Sequence, residues 1–202
     1  MAKIQVFNKL AKLEDLYINN YDKGRFFGYC KECNSYNNNY SCPPFDEETD
    51  NLLDSYDFMN IFVIKIIFSS DEIKENIGKK KIIEYTTNIL TPVKQKAHDG
   101  LIGFEKEYDH TLYLGMGSCK ICDECERKYG RECIYPERVR PSPESLGFDI
   151  TGILKDCFDI EIKWSKDSLP EYYTLLSGLL SKNYIEIPDI EIERIENSLN
   201  VF

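Results

Sequence analysis

Seven cysteines stand in two groups whose spacing suits metal chemistry. Cys119, Cys122, Cys125 and Cys133 follow C-x2-C-x2-C-x7-C within GMGSCKICDECERKYGRECIYPERVRPSP. Cys30, Cys33 and Cys42 follow C-x2-C-x8-C within YCKECNSYNNNYSCPPF. Two residues between cysteines let one tight loop aim neighbouring thiolates at a single inorganic centre. Bacterial ferredoxins use C-x2-C-x2-C-x3-C-P, with the fourth cysteine serving the other cluster. Here the fourth cysteine comes later, and Pro136 lies three residues beyond it. Tetrahedral zinc more often uses two separated C-x2-C knuckles. The spacing therefore favours one or two [4Fe-4S] clusters, with zinc as the alternative.

Seven thiolates leave several ligand sets open. One is a full cluster on Cys119, Cys122, Cys125 and Cys133 plus a three-cysteine cluster on Cys30, Cys33 and Cys42. A second has Cys133 joining the N-terminal trio, in the ferredoxin manner. A third is a single zinc or cluster spanning both motifs. An iron without a protein thiolate can act as a Lewis acid towards a small molecule, whereas a fully ligated cube mostly transfers electrons. His98, His110, an Asp, a Glu or Cys157 could supply a missing ligand. Cys157 falls in the apolar stripe of DITGILKDCF, which suits a buried free thiol. The two histidines suit surface or core roles, His98 at a helix end where an imidazole meets terminal carbonyls. No Ser/His/Asp order, phosphate loop or dinucleotide fingerprint is present.

The elements that carry these loops are legible in outline. Leu13, Leu16 and Tyr17 have helical spacing through Lys12–Tyr17, and Gly24 and Gly28 punctuate the entry to the first motif. Residues 45–59 begin with acidic residues and predict a helix. Residues 60–69, NIFVIKIIFS, predict a buried strand. Residues 71–100 predict one or two helices, with Gly78 and Pro92 as breaks or kinks. Residues 111–115 predict a strand delivering the chain into the second motif, where Gly115 and Gly117 either end that strand or let backbone N–H groups approach cluster sulfurs. A helix over 149–158, strands over 159–164 and 172–180, and an acidic tail from about 189 to 202, as a docking helix or a frayed end, complete the chain. The expected fold class is α+β: a single domain, residues 1–202, with a mixed β-sheet, packed helices and two cysteine-rich metal-binding loops at 29–45 and 115–143.

Composition narrows the function. The chain has 202 residues, 42% of them hydrophobic, enough for a real core without metal. Its net charge of −10 disfavours nucleic acid and anionic membrane surfaces as partners. The run Lys79–Lys81 suits a solvated face. The N-terminal stretch lacks signal-peptide character, and the longest apolar run is too short to span a bilayer. A cytoplasmic location follows, and eight cysteines in a reducing compartment point to metal or redox chemistry rather than disulfides. Arg127, Lys128, Arg131, Arg138 and Arg140 surround the second motif. Five carboxylates lie among them, the pattern of surface ion pairing.

The chain resembles the DUF2284 family, described as predicted metal-binding proteins of anaerobic bacteria and archaea. The resemblance rests on CKEC with a later CPPF, on GSCKICDEC with a later cysteine, and on RPSPESLGFDI, along most of residues 25–165. It implies metal binding, as an iron–sulfur cluster, without specifying a reaction. The N-terminal loop is Asn-rich here where relatives tend to carry Gly and Trp. The expected function is a [4Fe-4S] protein passing electrons to a redox partner protein in anaerobic metabolism. The alternatives are an enzyme using a three-cysteine, open-site cluster on a small anionic or sulfur-containing substrate, or a structural zinc-binding interaction module.

Overall fold

The computed structural model describes residues 2–200; the last two positions of the expected acidic tail, Val201 and Phe202, lie outside them, as does Met1. Four strands form one sheet in the order β1-β2-β4-β3: β1 (Lys3–Lys12), β2 (Phe58–Ile67), β3 (Thr111–Leu114) and β4 (Tyr172–Ser181). Every neighbouring pair is antiparallel, with Val6 opposite Ile64, Ile64 opposite Leu175, and Leu112 opposite Leu180. The α+β class holds, and the sheet is antiparallel throughout rather than mixed. The predicted strands at 60–69, 111–115 and 172–180 are present.

The helices follow from local sequence. They are α1 (Leu13–Asn19), α2 (Lys23–Lys31), α3 (Glu47–Asp50), α4 (Ser70–Glu75), α5 (Lys79–Glu107), α6 (Pro143–Leu146), α7 (Ile150–Phe158) and α8 (Asp189–Leu199). Ser69 and Glu72 form a reciprocal capping box at α4. Gly78, at φ +88°, then separates α4 from α5. Pro92 lies inside α5 without ending it.

The central strand β2 explains its own composition. Phe62, Ile64 and Ile66 face a cluster under α5 and α8, while Met59, Ile61 and Val63 face a second cluster under α1, α6 and α7. With both faces covered, nearly every position is apolar. Gly178 of β4 faces Met59, whose sulfur would lie 2.6 Å from an added Cβ. The acidic tail docks: Ile195 and Leu199 are buried, Asn200 Oδ1 accepts from Ile4 N–H (2.9 Å), and Glu196 Oε2 accepts from Val6 N–H (2.7 Å). These side chains satisfy the outer edge of β1, which would otherwise present unpaired N–H groups.

Three expectations fail, and one strand stands where none was expected, each for an identifiable reason. Residues 3–12 form a strand, because Ile4 and Val6 alternate inward before the helical spacing of α1 begins at Leu13. Gly24 and Gly28 lie within α2 rather than before it. Residues 45–59 give only the single turn α3 and a 3₁₀ turn at Leu52–Ser55, as Met59 already belongs to β2. Residues 159–164 form no strand: left-handed Asp159 ends α7, Ile160 N–H bonds Leu154 O (3.0 Å), and Ile160 is buried without a strand partner.

Candidate metal centre

The first cysteine group is built on α2. Asp22 caps this helix by accepting from Arg25 N–H, which sets Cys30 in the last turn and Cys33 in the tight turn beyond it. The Asn-rich loop then folds back, with Asn37 left-handed and its N–H donating to Pro43 O (2.8 Å). That return brings Cys42 within electrostatic reach of Cys33 and Cys30, with Glu144 beside them. Burial pushes the Cys42 thiol up to about 11 and raises Cys30 as well.

The second group is carried by the loop after β3. Cys119, Cys122, Cys125 and Cys133 edge one narrow cavity together with Asn39 and Tyr40 of the first loop. Cys119 feels the charges of Cys125, Cys122 and Cys133, and burial raises its thiol. Burial also raises Cys133. The structure thus sets Cys133 with its own loop rather than with the N-terminal trio. All seven thiols are free; Cys33 is exposed and the others are partly buried. Cys157 lies apart, packed beside the cluster under α7.

The two loops are stitched together by a network absent from the sequence reading. Cys119 N–H donates to Ser41 Oγ (2.7 Å), the Ser41 hydroxyl donates to Asn39 Oδ1 (2.8 Å), and Asn39 Nδ2 donates to Cys119 O (3.1 Å). Ser41 is fully buried and Asn39 nearly so. Arg127 reaches from the second loop to three carbonyls of the first: Asn39 O (3.1 Å), Cys42 O (2.7 Å) and Pro44 O (2.5 Å). Tyr40 donates to Arg131 O (2.7 Å). Lys128–Glu124 and Arg131–Glu126 are the expected surface pairs, but Arg127 is a strap.

The RPSPESLG segment holds this assembly to the fold. Arg140 pairs with Glu105 of α5 through two hydrogen bonds of 2.7 Å, both side chains largely buried. Arg138 meets Asp99 at 2.5 Å. Gly115 N–H donates to Pro141 O (2.8 Å), and a Cβ on Gly115 would meet Arg140 O at 3.1 Å. Gly115 therefore serves this strand-end contact. Gly147, at φ +112°, packs where a Cβ would sit 2.8 Å from Lys23 Cα, so only glycine lets α6 press on α2. Glu144 projects from α6 towards Lys94 of α5; burial raises its carboxyl and lowers the Lys94 ammonium. Lys94 carries no motif signal, and Glu144, though it lies within RPSPESLG, shows its part only once α6 is set near Lys94.

Of the two histidines, His98 departs from its expected place at a helix end. His98 lies well inside α5, which runs past Gly100 and Gly103 to Glu107, so no helix end is near it. His110 is a left-handed residue whose carbonyl accepts from Lys182 N–H (3.2 Å).

Soft thiolates are the donors of iron–sulfur and zinc sites. A tetrahedral zinc, with Zn–S about 2.3 Å, requires sulfurs about 3.8 Å apart. Among the described residues no three His, Cys, Asp or Glu side chains converge at single-ion spacing. The thiols share a cavity wall rather than a point. Their donor chemistry fits a thiolate-bound metal, whether an iron–sulfur cluster or zinc. No helix among the described residues is long and apolar enough to cross a membrane.

Fold and site together define an α+β protein with two thiol groups at one end of an antiparallel sheet. Comparison with known families matches residues 21–180 to DUF2284, a predicted metal-binding protein family, and the chain belongs to it. The match spans both cysteine loops and the RPSPESLG clamp. Comparisons with curated proteins and with solved structures gave no match.

Proposed function

We propose that this is an iron–sulfur protein in which Cys119, Cys122, Cys125 and Cys133 hold a [4Fe-4S] cluster that relays electrons to a partner protein in the reducing cytosol of an anaerobe. The observation that carries the reading is the four thiols edging one cavity. A cube ligated by four cysteines takes up and releases single electrons. The chain contributes the thiolates and a rigid seat for them, tied at Cys119 N–H by Ser41 and at Glu105 by Arg140. Anaerobic protein reduced with dithionite should give a cluster signal by electron paramagnetic resonance. Cys133→Ser should lose or alter that signal and Cys157→Ser should keep it; an unchanged signal in Cys133→Ser would overturn the ligand set.

A second reading has its own observation. Cys30, Cys33 and Cys42 make only three thiols, and the groups beside them are Glu144 and Lys94 rather than a fourth cysteine. A three-thiolate cluster there would leave one iron open to a small substrate. A candidate substrate that shifts the spectrum of the loaded protein, but not of Cys42→Ser, would favour it.

A further inference from the structure

A second cavity adjoins the four-cysteine loop, edged by Cys119 alone of its cysteines. It has a volume of about 250 Å³ and lies between α5 and the loop that follows β3. Its wall carries Lys94, Lys120, Arg138 and Arg140, with His98 and Tyr113 at the base and Met116 and Ile121 as apolar surface. Four cations outnumber the three carboxylates that answer them, Asp99, Glu105 and Glu144, in a chain whose net charge is −10. Arg138 and Arg140 are engaged by Asp99 and Glu105. Lys94 and Lys120 make no hydrogen bond or ion pair with the described residues; Glu144 acts on Lys94 only through its field.

The base is also unsatisfied. Tyr113 is completely buried, and its hydroxyl, beside Ser177 Oγ, has no partner in bonding geometry. His98 Nε2 is buried without a partner, and its ring lies edge-on to Tyr113 at 5.4 Å. Buried polar groups are rarely left without a partner. Two unpaired ammonium groups and two orphaned polar atoms on one cavity wall, with apolar surface beside them, describe a complement.

We propose that this cavity binds a small organic acid, its carboxylate on Lys94 and Lys120 and a hydroxyl or carbonyl oxygen on His98 Nε2 and Tyr113 Oη. The volume falls below the range of about 300–1,000 Å³ that takes drug-sized ligands, which suits a small acid rather than a nucleotide. Cys119 lines the same cavity, so the ligand sits against the four-cysteine loop. None of the groups assigned to the ligand is a cysteine, so the assignment stands whether the loop holds iron or zinc.

Isothermal titration of the full chain as purified anaerobically, at fixed ionic strength, tests it. The probes are glycolate, L-lactate, succinate and benzoate, with lactamide as the neutral control and inorganic phosphate as the compact anion. At least one acid should bind saturably at one site, more tightly than lactamide or phosphate. Lys120→Gln, a change on the loop surface, and Tyr113→Phe, which removes one oxygen, should each weaken it about tenfold or more, while Lys74→Gln in α4 changes nothing. No acid binding, phosphate binding as tightly as the acids, or equal affinity in Lys120→Gln and Lys74→Gln overturns the proposal. Metal content leaves each of these results unchanged in meaning, so failure here is separable from failure of the iron–sulfur reading.

Discussion

Arg127→Ala is the perturbation that isolates the meeting of the two cysteine loops. The guanidinium donates to three carbonyls of the first loop at 2.5–3.1 Å, and hydrogen bonds from charged groups are worth about 1.5–3 kcal/mol each. The side chain keeps some solvent contact and the carbonyls can rehydrate, so the net loss is far below that sum, about 2–4 kcal/mol. For a chain of this size each kcal/mol moves Tm by about 2–4 °C, which gives a fall of roughly 4–16 °C. Arg127→Lys keeps the charge but not the planar fork, and should recover only part of the loss. The assay is thermal unfolding of wild type and both variants, paired with alkylation of Cys42 in metal-free protein. The thiol should become more reactive in Arg127→Ala as the loop swings free. A Tm within 1 °C of wild type (a shift smaller than about 0.5 kcal/mol), with Cys42 no more reactive, would refute the strap.

Glu105→Gln should destabilise the protein by about 3 kcal/mol in urea unfolding, since it leaves Arg140 largely buried without its carboxylate. Gly147→Ala should cost more than about 2 kcal/mol and loosen α2, because the left-handed φ and the 2.8 Å approach to Lys23 Cα both oppose a side chain; hydrogen exchange of α2 amides reports it. In metal-free protein the thiolate is the nucleophile, and Cys42 is raised to about 11 and so protonated at neutral pH. Its alkylation rate should therefore still be climbing between pH 9 and 11, beyond the usual thiol range; a plateau by pH 9 contradicts the buried placement. The same protonation means that metal uptake at neutral pH releases protons, measurable in a weakly buffered titration.

Much of this molecule was legible in its residues. The apolar run of β2 and the amphipathic stripe of α7 each encode their place locally. The first strand was not read, because its short alternation runs straight into the helical spacing of α1 with no turn residue between. The stretch 159–164 has strand alternation, yet it pairs with no strand. The cysteines and RPSPESLG marked the site region, but their partners did not. Ser41, Asn39, Glu144 and Lys94 are common residues whose roles exist only once α5, α6 and the two loops are packed. Arg127 has the composition of a surface ion pair and becomes a strap only because carbonyls of a loop more than eighty residues earlier lie within its reach.

Iron, acid-labile sulfide and zinc, quantified in protein purified without oxygen, test the central claim most directly. The account predicts iron and sulfide in equal amounts, at least four of each per chain for one cube, with zinc well below stoichiometric. Stoichiometric zinc with neither iron nor sulfide would contradict it.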